Sequence, residues 1–265
     1  MTITIGTDYS GMESPIIALK ELSIPHEHIF SSEIEPNAQL VIQEIFQPKT
    51  LYKDTLTRKQ SSLPKHLDLY VAGFPCQAFS PLRFLFNIKH INPLVHFNEC
   101  IETIKHCNPT VYILENVPLI LSGEWGETVK KEVKLKGCHV SFLISNGQDY
   151  GSLQSRRRLF IVGLNDKIAS GQLSEPPKIE CIVTFEELLE HQPIRNTISE
   201  NRSKLIHACV AKHPEKIFWS VHTVNSDFRN GKAGHKHVPT LTRNSRGIYW
   251  VPREIRTTVR EMLRI

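Results

Sequence analysis

Between residues 2 and 165 the chain alternates short β-rich runs with helical patterns, and this rhythm restricts the fold more than any other feature. Residues 2–7, 28–32, 67–72, 110–114, 140–145 and 159–164 read as strands. Between them, residues 13–22, 37–46, 93–106 and 124–135 carry apolar side chains at helical spacing. In the first helix these are Ile16, Ile17, Ala18 and Leu19; in the second, Leu40, Ile42 and Ile45 are expected to be buried. The run at 67–72 is apolar but for Asp68 and stops at Gly73, as a strand covered on both faces does. Strands alternating with helices predict an α/β fold, a Rossmann-like doubly wound and mostly parallel sheet. In such a sheet ligands gather at the C-terminal strand ends.

After Asn165 the rhythm stops. Residues 166–250 contain short helix patterns at 185–189 and 203–212 and a His/Lys/Gly-rich stretch at 230–237. Three parts are therefore expected: a catalytic and cofactor-binding domain at 1–165, a small irregular region at 166–250, and a C-terminal helix at 251–265 that returns to the first domain. The charge is uneven. Residues 201–265 hold 13 Lys and Arg against 4 Asp and Glu, a surplus of +9, while the first 200 residues sum to −4. A basic C-terminal quarter suits a polyanion, although a solvated basic face has the same composition. Apolar residues make up 40% and charged residues 22%, which excludes collagen-like, coiled-coil and wholly disordered chains. No apolar run reaches the ~20 residues of a membrane span, and the first residues lack a basic n-region, so a soluble intracellular protein is expected. The six cysteines form no C-x-x-C pair and no histidines stand at ligand spacing beside them, so reduced thiols and no metal are expected.

Four segments hold residues suited to chemistry. Gly73-Phe-Pro-Cys-Gln-Ala-Phe-Ser80 follows a strand directly, where Cys76 can be presented as a nucleophile; a structural cysteine in a Gly/Pro turn is the ordinary alternative. Thr110-Val-Tyr-Ile-Leu-Glu-Asn-Val-Pro118 brings Glu115 out of an apolar strand as a partly desolvated carboxyl or, more simply, as a helix cap. In Gln154-Ser-Arg-Arg-Arg-Leu-Phe160, strand alternation is expected to turn Gln154, Arg156 and Arg158 to one face, where two guanidiniums would meet an anion or a carbonyl. The turn Thr7-Asp-Tyr-Ser-Gly-Met-Glu-Ser14 lies where a nucleotide-type cofactor binds, and Gly11 permits close backbone approach. Glu33 is positioned to hold ribose hydroxyls and Asp54 to reach an adenine amino group.

Taken in order, cofactor turn, ribose acid, Asp54, Pro-Cys-Gln, Glu-Asn-Val and Gln-x-Arg-x-Arg closely resemble the cytosine-5 DNA methyltransferase family, across about residues 3–165 and again at 239–265. The resemblance implies a class I methyltransferase fold and an enzyme that moves a methyl group from S-adenosyl-L-methionine to C5 of a flipped cytosine in double-stranded DNA. It implies that Cys76 attacks C6 and that Glu115 contacts N3 and the exocyclic amine. Arg156 and Arg158, with Gln154 opening their motif, steady the carbonyl and its surroundings. Tyr9, Ser10, Gly11 and Met12 match the first cofactor motif, Glu33 with Ile34 the ribose site, Asp54 with Thr55 the adenine contact, and Pro75 a cofactor-facing position. Residues 166–250 take the place of the target-recognition region, where Arg243 and Arg246, near Tyr249 and Trp250, are candidate nucleic-acid contacts.

The pattern is not uniform. Thr7 stands where the family has an acid, and Glu13 and Ser14 replace paired glycines. The segment Pro81-Leu-Arg-Phe-Leu-Phe-Asn87 is bulky where the family is glycine-rich. Thr258-Val-Arg-Glu-Met-Leu-Arg-Ile265 resembles the ninth motif, and the motif that follows it in the family is missing. The alternatives are a fragment of a longer chain, a monomeric short form, a partner chain supplying that motif in a split enzyme, a tRNA-acting relative, and a catalytically silent nucleic-acid-binding relative.

Overall fold

The computed structural model describes residues 1–76, 92, 94–168, 173–190, 198–220, 233–234, 237–241, 248–253, 255–258 and 262. Its main sheet has seven strands: β1 (Ile3–Asp8), β2 (His26–Ser32), β3 (Thr50–Tyr52), β4 (Leu69–Ala72), β5 (Val111–Asn116), β6 (Cys138–Asn146) and β7 (Arg157–Asn165). They lie in the order β3-β2-β1-β4-β5-β7-β6. The pairs β1–β2, β2–β3, β1–β4 and β4–β5 are parallel, and β7 runs antiparallel to β5. The C-terminal ends of β1 to β5 therefore share one edge.

Helices cover both faces because the central strands alternate two apolar sets. Tyr70 and Ala72 of β4 join Leu114 of β5 and Phe97, Ile101 and Ile104 of α3 (Val95–Cys107) in the larger core, with Val129 of α4 (Gly123–Glu132). Leu69 and Val71 face the other way, toward Ile5 and toward Ile16 and Leu19 of α1 (Ser14–Glu21). This is the alternation of a strand buried on both sides. Close packing decides one residue outright. Gly163 pairs with Tyr112 across β5 and β7, and a Cβ there would sit 2.0 Å from the tyrosine ring.

The second helix corrects the sequence reading. α2 (Pro36–Val41) widens into a π-turn at Ile42–Phe46, closed by the Gln47 N–H donating to the Ile42 carbonyl at 2.9 Å. Ile42 is buried, whereas Leu40 in the α-helical part and Ile45 within the wider turn are exposed.

The chain divides into two compact units, Met1–Ile144 with Arg158–Glu175, and Ser145–Arg157 with Pro176–Ile265. Residues 145–157 thus group with the later part of the chain. The second unit has more regular structure than its pattern suggests. α5 (Glu200–Lys212) is accompanied by an antiparallel sheet of β8 (Phe218–Ser220), β9 (Ala233–Gly234), β10 (Ile248–Trp250) and β11 (Ile255–Arg256), in the order β11-β10-β8-β9. Trp250 is buried against Phe185, ring centroids 5.2 Å apart, and Tyr249 packs on Ile206 and Cys209. Both aromatics are core residues. The helix expected at 251–265 begins as a 3-10 turn (Val251–Arg253) and a strand; among the described residues, the Met262 N–H then donates to the Thr258 carbonyl at 3.0 Å.

Candidate active site

The turn after β1 is the first part of the strand-end edge. Tyr9, Gly11 and Glu13 all have positive φ, at 55°, 54° and 53°. Gly11 tolerates this conformation freely, and a Cβ built on it would meet nothing within 4 Å, so the space before it is open. The Gly11 N–H donates to Glu33 Oε2 at 2.7 Å, and the Glu35 N–H donates to Glu33 Oε1 at 2.8 Å. Each carboxylate oxygen keeps a lone pair for a further donor. Met12 and Ile34 are exposed on either side of this pair. Tyr9 is half-buried, its hydroxyl 3.2 Å from His96 Nδ1 and its ring edge-on to that imidazole. Asp54 follows β3 and caps its own turn, accepting from the Leu56 N–H at 2.9 Å; Thr55 is buried. An open glycine, a carboxylate with lone pairs to spare and flanking apolar side chains suit a nucleoside-bearing cofactor.

Two side-chain networks hold this turn from below, and the sequence reading identified neither. Asp8 ends β1 inside the protein. Its two carboxylate oxygens accept from both terminal nitrogens of Arg58, the second at 2.6 Å, and Tyr70 donates its hydroxyl to Asp8 Oδ2 at 2.6 Å. The side chains of Arg58 and Asp8 are only 2% and 0% exposed, and Arg58 also donates to Ser32 and Thr103. Pairing both terminal nitrogens in this way is what makes a buried guanidinium tolerable, although its Nε has no partner among the described residues. The second network gathers Thr7, Ser10, Glu13, Ser31 and His28. The only sequence signal for either network was the unusual placing of acids around the first turn.

The other part of the edge is built by β4, β5 and β7. Pro75 and Cys76 lie just past β4, both half-buried, and the Cys76 thiol is free. Glu115 and Asn116 end β5, the hydrogen-bonded neighbour of β4. Asn116 is buried and donates its side-chain amide to the Phe74 carbonyl at 3.1 Å, fixing the backbone two residues before the cysteine. Gly73 lies against Glu115, whose Oε2 would be 3.5 Å from a Cβ on that glycine. Arg158, the second residue of β7, donates Nε to Glu115 Oε1 at 2.7 Å; their side chains are 16% and 27% exposed. Among the predicted residues, Glu115 and Arg158 are thus in direct contact.

Gln154 and Arg156 depart from the expected strand face. β7 begins only at Arg157, because local side chains shape the preceding residues into a loop. Ser152 Oγ accepts from the Gln154 N–H at 3.0 Å and Asn146 Oδ1 from the Arg156 N–H at 2.8 Å. Both residues belong to the second unit, where Gln154 Oε1 accepts from the Leu241 N–H at 3.3 Å and Arg156 is exposed. Arg243, Arg246 and the 81–87 segment lie outside the described residues. No helix among the described residues is long and apolar enough to cross a membrane.

Known proteins resemble this chain in sequence and in fold. The M.HpaII Type II methyltransferase of Haemophilus parainfluenzae is 28% identical over 171 residues, 63% of this chain and 48% of its own. M.NgoBI of Neisseria gonorrhoeae is 33% identical over 144 residues, 53% of this chain and 44% of its own. The chain spans about half the length of the curated relatives it matches. A mutant of Spodoptera frugiperda DNMT2 superposes with a TM-score of 0.59 at 18% identity, covering 78% of this chain and 65% of that one. The Entamoeba histolytica methyltransferase EhMeth gives 0.58 at 14%, covering 82% and 67%. At such identities the likeness is one of fold, that of class I methyltransferases. The C-5 cytosine-specific DNA methylase family matches residues 9–262, and the chain belongs to that family.

Proposed function

We propose that the protein is a DNA (cytosine-5)-methyltransferase that uses S-adenosyl-L-methionine and acts on a cytosine flipped out of double-stranded DNA. The observation that carries this reading is the rim of β4, β5 and β7: a half-buried free thiol at Cys76, one strand away from the Glu115–Arg158 pair. Cytosine C5 is a weak nucleophile. Addition of the Cys76 sulfur at C6 turns the ring into an enamine and divides one difficult step into easier ones. Glu115 binds the N3 and exocyclic-amine edge and stabilises charge as the ring is attacked. Arg158 orients that carboxylate in advance, so little reorganisation remains when the base arrives. After transfer, loss of the C5 proton and departure of the Cys76 sulfur restore the aromatic ring.

S-adenosylmethionine, when bound, supplies the methyl group. Glu33 would receive its ribose hydroxyls, Asp54 and Thr55 its adenine, and Tyr9, Ser10, Gly11, Met12, Ile34 and Pro75 would line the space around it. Gln154, Arg156, Arg243 and Arg246 are assigned to the nucleic acid by motif and charge. The second unit takes the place of the target-recognition region, and the +9 surplus of residues 201–265 suits phosphate contacts. The base must leave the stack to reach a thiol at a strand end, which fits a flipped substrate.

The test is transfer of a radiolabelled methyl group to duplex DNA and, in parallel, to tRNA. Labelled 5-methylcytosine in the duplex is expected. Label in tRNA alone would assign the chemistry to an RNA substrate, and label in neither, with the donor bound, would remove the catalytic reading.

A further inference from the structure

We propose that Glu13 is a positioning residue for the cofactor turn, and that it returns to the site, from a new position in the chain, the acid that Thr7 has displaced. The inference rests on the cofactor reading of that turn. Thr7 stands where the family pattern has an acid and Glu13 where it has a glycine. In the fold these two departures meet. The Thr7 hydroxyl lies 3.0 and 3.1 Å from the two Glu13 carboxylate oxygens, and the Ser31 hydroxyl donates to Glu13 Oε1 at 2.5 Å. The carboxylate thus lies beside the end of β1, where an acid at position 7 would have placed its own.

The Glu13 backbone makes this reach possible. Its φ of 53° is a conformation that glycine adopts freely and glutamate does not, and such strain persists where the surroundings over-determine it. Here the N–H of Glu13 donates to the Ser10 carbonyl at 2.8 Å, its carbonyl accepts from the Ile17 N–H at 3.1 Å, and its side chain is fully buried. One residue therefore closes the turn, starts α1 and anchors both to β1 and β2. The facing imidazole, His28 Nε2, is 3.7 Å away. Burial pushes that histidine down to about 4, so near neutral pH the imidazole is uncharged and the Glu13 side chain is held by hydroxyls rather than by a cation. Burial also raises the Glu13 carboxyl while the Ser31, Thr7 and Ser10 hydroxyls oppose the rise. Gly11, the open residue of the turn, lies between Ser10 and Glu13 and is tied to Glu33. Loosening position 13 frees the segment that meets the cofactor without removing any group that touches it.

The test is a mutant cycle on the full chain, read by calorimetric S-adenosylmethionine binding, amide exchange at Gly11 and Met12, and thermal melting. Glu13→Gly relaxes the backbone but removes the carboxylate; it is expected to weaken binding about tenfold and to speed Gly11 exchange. Glu13→Gln keeps an acceptor oxygen and is expected to stay within about threefold of wild type. Thr7→Asp alone buries two acids together and is expected to melt lowest. Thr7→Asp combined with Glu13→Gly restores the family arrangement and should recover binding and protection lost in either single variant. Wild-type binding and exchange in Glu13→Gly, or a double variant no better than the singles, would overturn the proposal. If either single variant fails to fold, Glu13→Gln and the double variant still decide it. Should wild type not bind the donor, the cofactor reading fails on its own, and Gly11 exchange still reports whether Glu13 holds the turn.

Discussion

The two halves of the strand-end edge solve the same problem by different means. Beyond β4, β5 and β7 the functional groups belong to the motifs themselves: Cys76 is displayed past β4, Asn116 ties down the Phe74 carbonyl, and Arg158 orients Glu115. Beyond β1 and β2 the half-buried groups, Gly11 and Glu33, depend on networks beneath them, Asp8 with Arg58 and Tyr70, and Glu13 with Thr7 and Ser31. In the proposed reaction the chemistry half tolerates little change, because Cys76 and Glu115 would themselves meet the substrate. The cofactor half can exchange its supports so long as the turn keeps its shape.

The contrast can be broken most directly at Cys76. Cys76→Ala is expected to abolish methyl transfer while leaving the melting temperature unchanged; residual wild-type turnover would move the nucleophile elsewhere. Next in size, Glu115→Gln should lower kcat by about 10²–10⁴-fold with the fold intact, and an unchanged rate would release the carboxyl from its role. On the cofactor side the largest effect should fall on stability. Arg58→Leu leaves the Asp8 carboxylate buried and unpaired, so denaturant melts should show a loss of about 3–5 kcal/mol. Replacing Asp8 and Arg58 together by apolar residues should lose much less, and equal losses would show that pairing is not what matters.

His28 sharpens the comparison through pH. Its folded value of about 4 lies below the ordinary 6.5, so between these values the unfolded chain binds more protons and stability falls as pH drops. For this 6%-exposed side chain the window is worth about 3 kcal/mol. His28→Gln should flatten that slope in melts from pH 6.5 to 4. Glu13 acts in the opposite sense: its raised carboxyl contributes stability that is fully present below 4.5 and lost as pH rises through the folded value. A steeper acid limb in His28→Gln would contradict the assignment. The smallest effect is expected at Asn116→Ala, about 1–3 kcal/mol of stability from a broken buried bond to the Phe74 carbonyl, with a fall in kcat rather than in donor affinity.

Strand rhythm and three short motifs made the sheet, its strand-end edge and the placing of Cys76 and Glu115 on it legible, because period, apolar runs and strand ends are local properties. What depended on distant partners was hidden. Asp8 and Arg58 are 50 positions apart, and nothing in either segment announces the pair. The Glu13–Thr7 exchange needs a side chain to fold back under its own turn. Ile45 follows helical spacing in the sequence, but the π-turn that contains it breaks that spacing and leaves it exposed. Gln154 and Arg156 alternated as strand residues should, but the side chains of Ser152 and Asn146 captured their amides and delayed the strand to Arg157.

The central claim is that Cys76 forms a covalent bond to a cytosine ring. Incubation with the methyl donor and a duplex bearing 5-fluorocytosine tests it, since fluorine at C5 blocks the proton loss that would release the sulfur. A complex that survives denaturation, with the adduct mapped by peptide mass to residue 76, is the predicted result. A protein that binds both donor and duplex yet forms no complex, or that forms one through another cysteine, would contradict it.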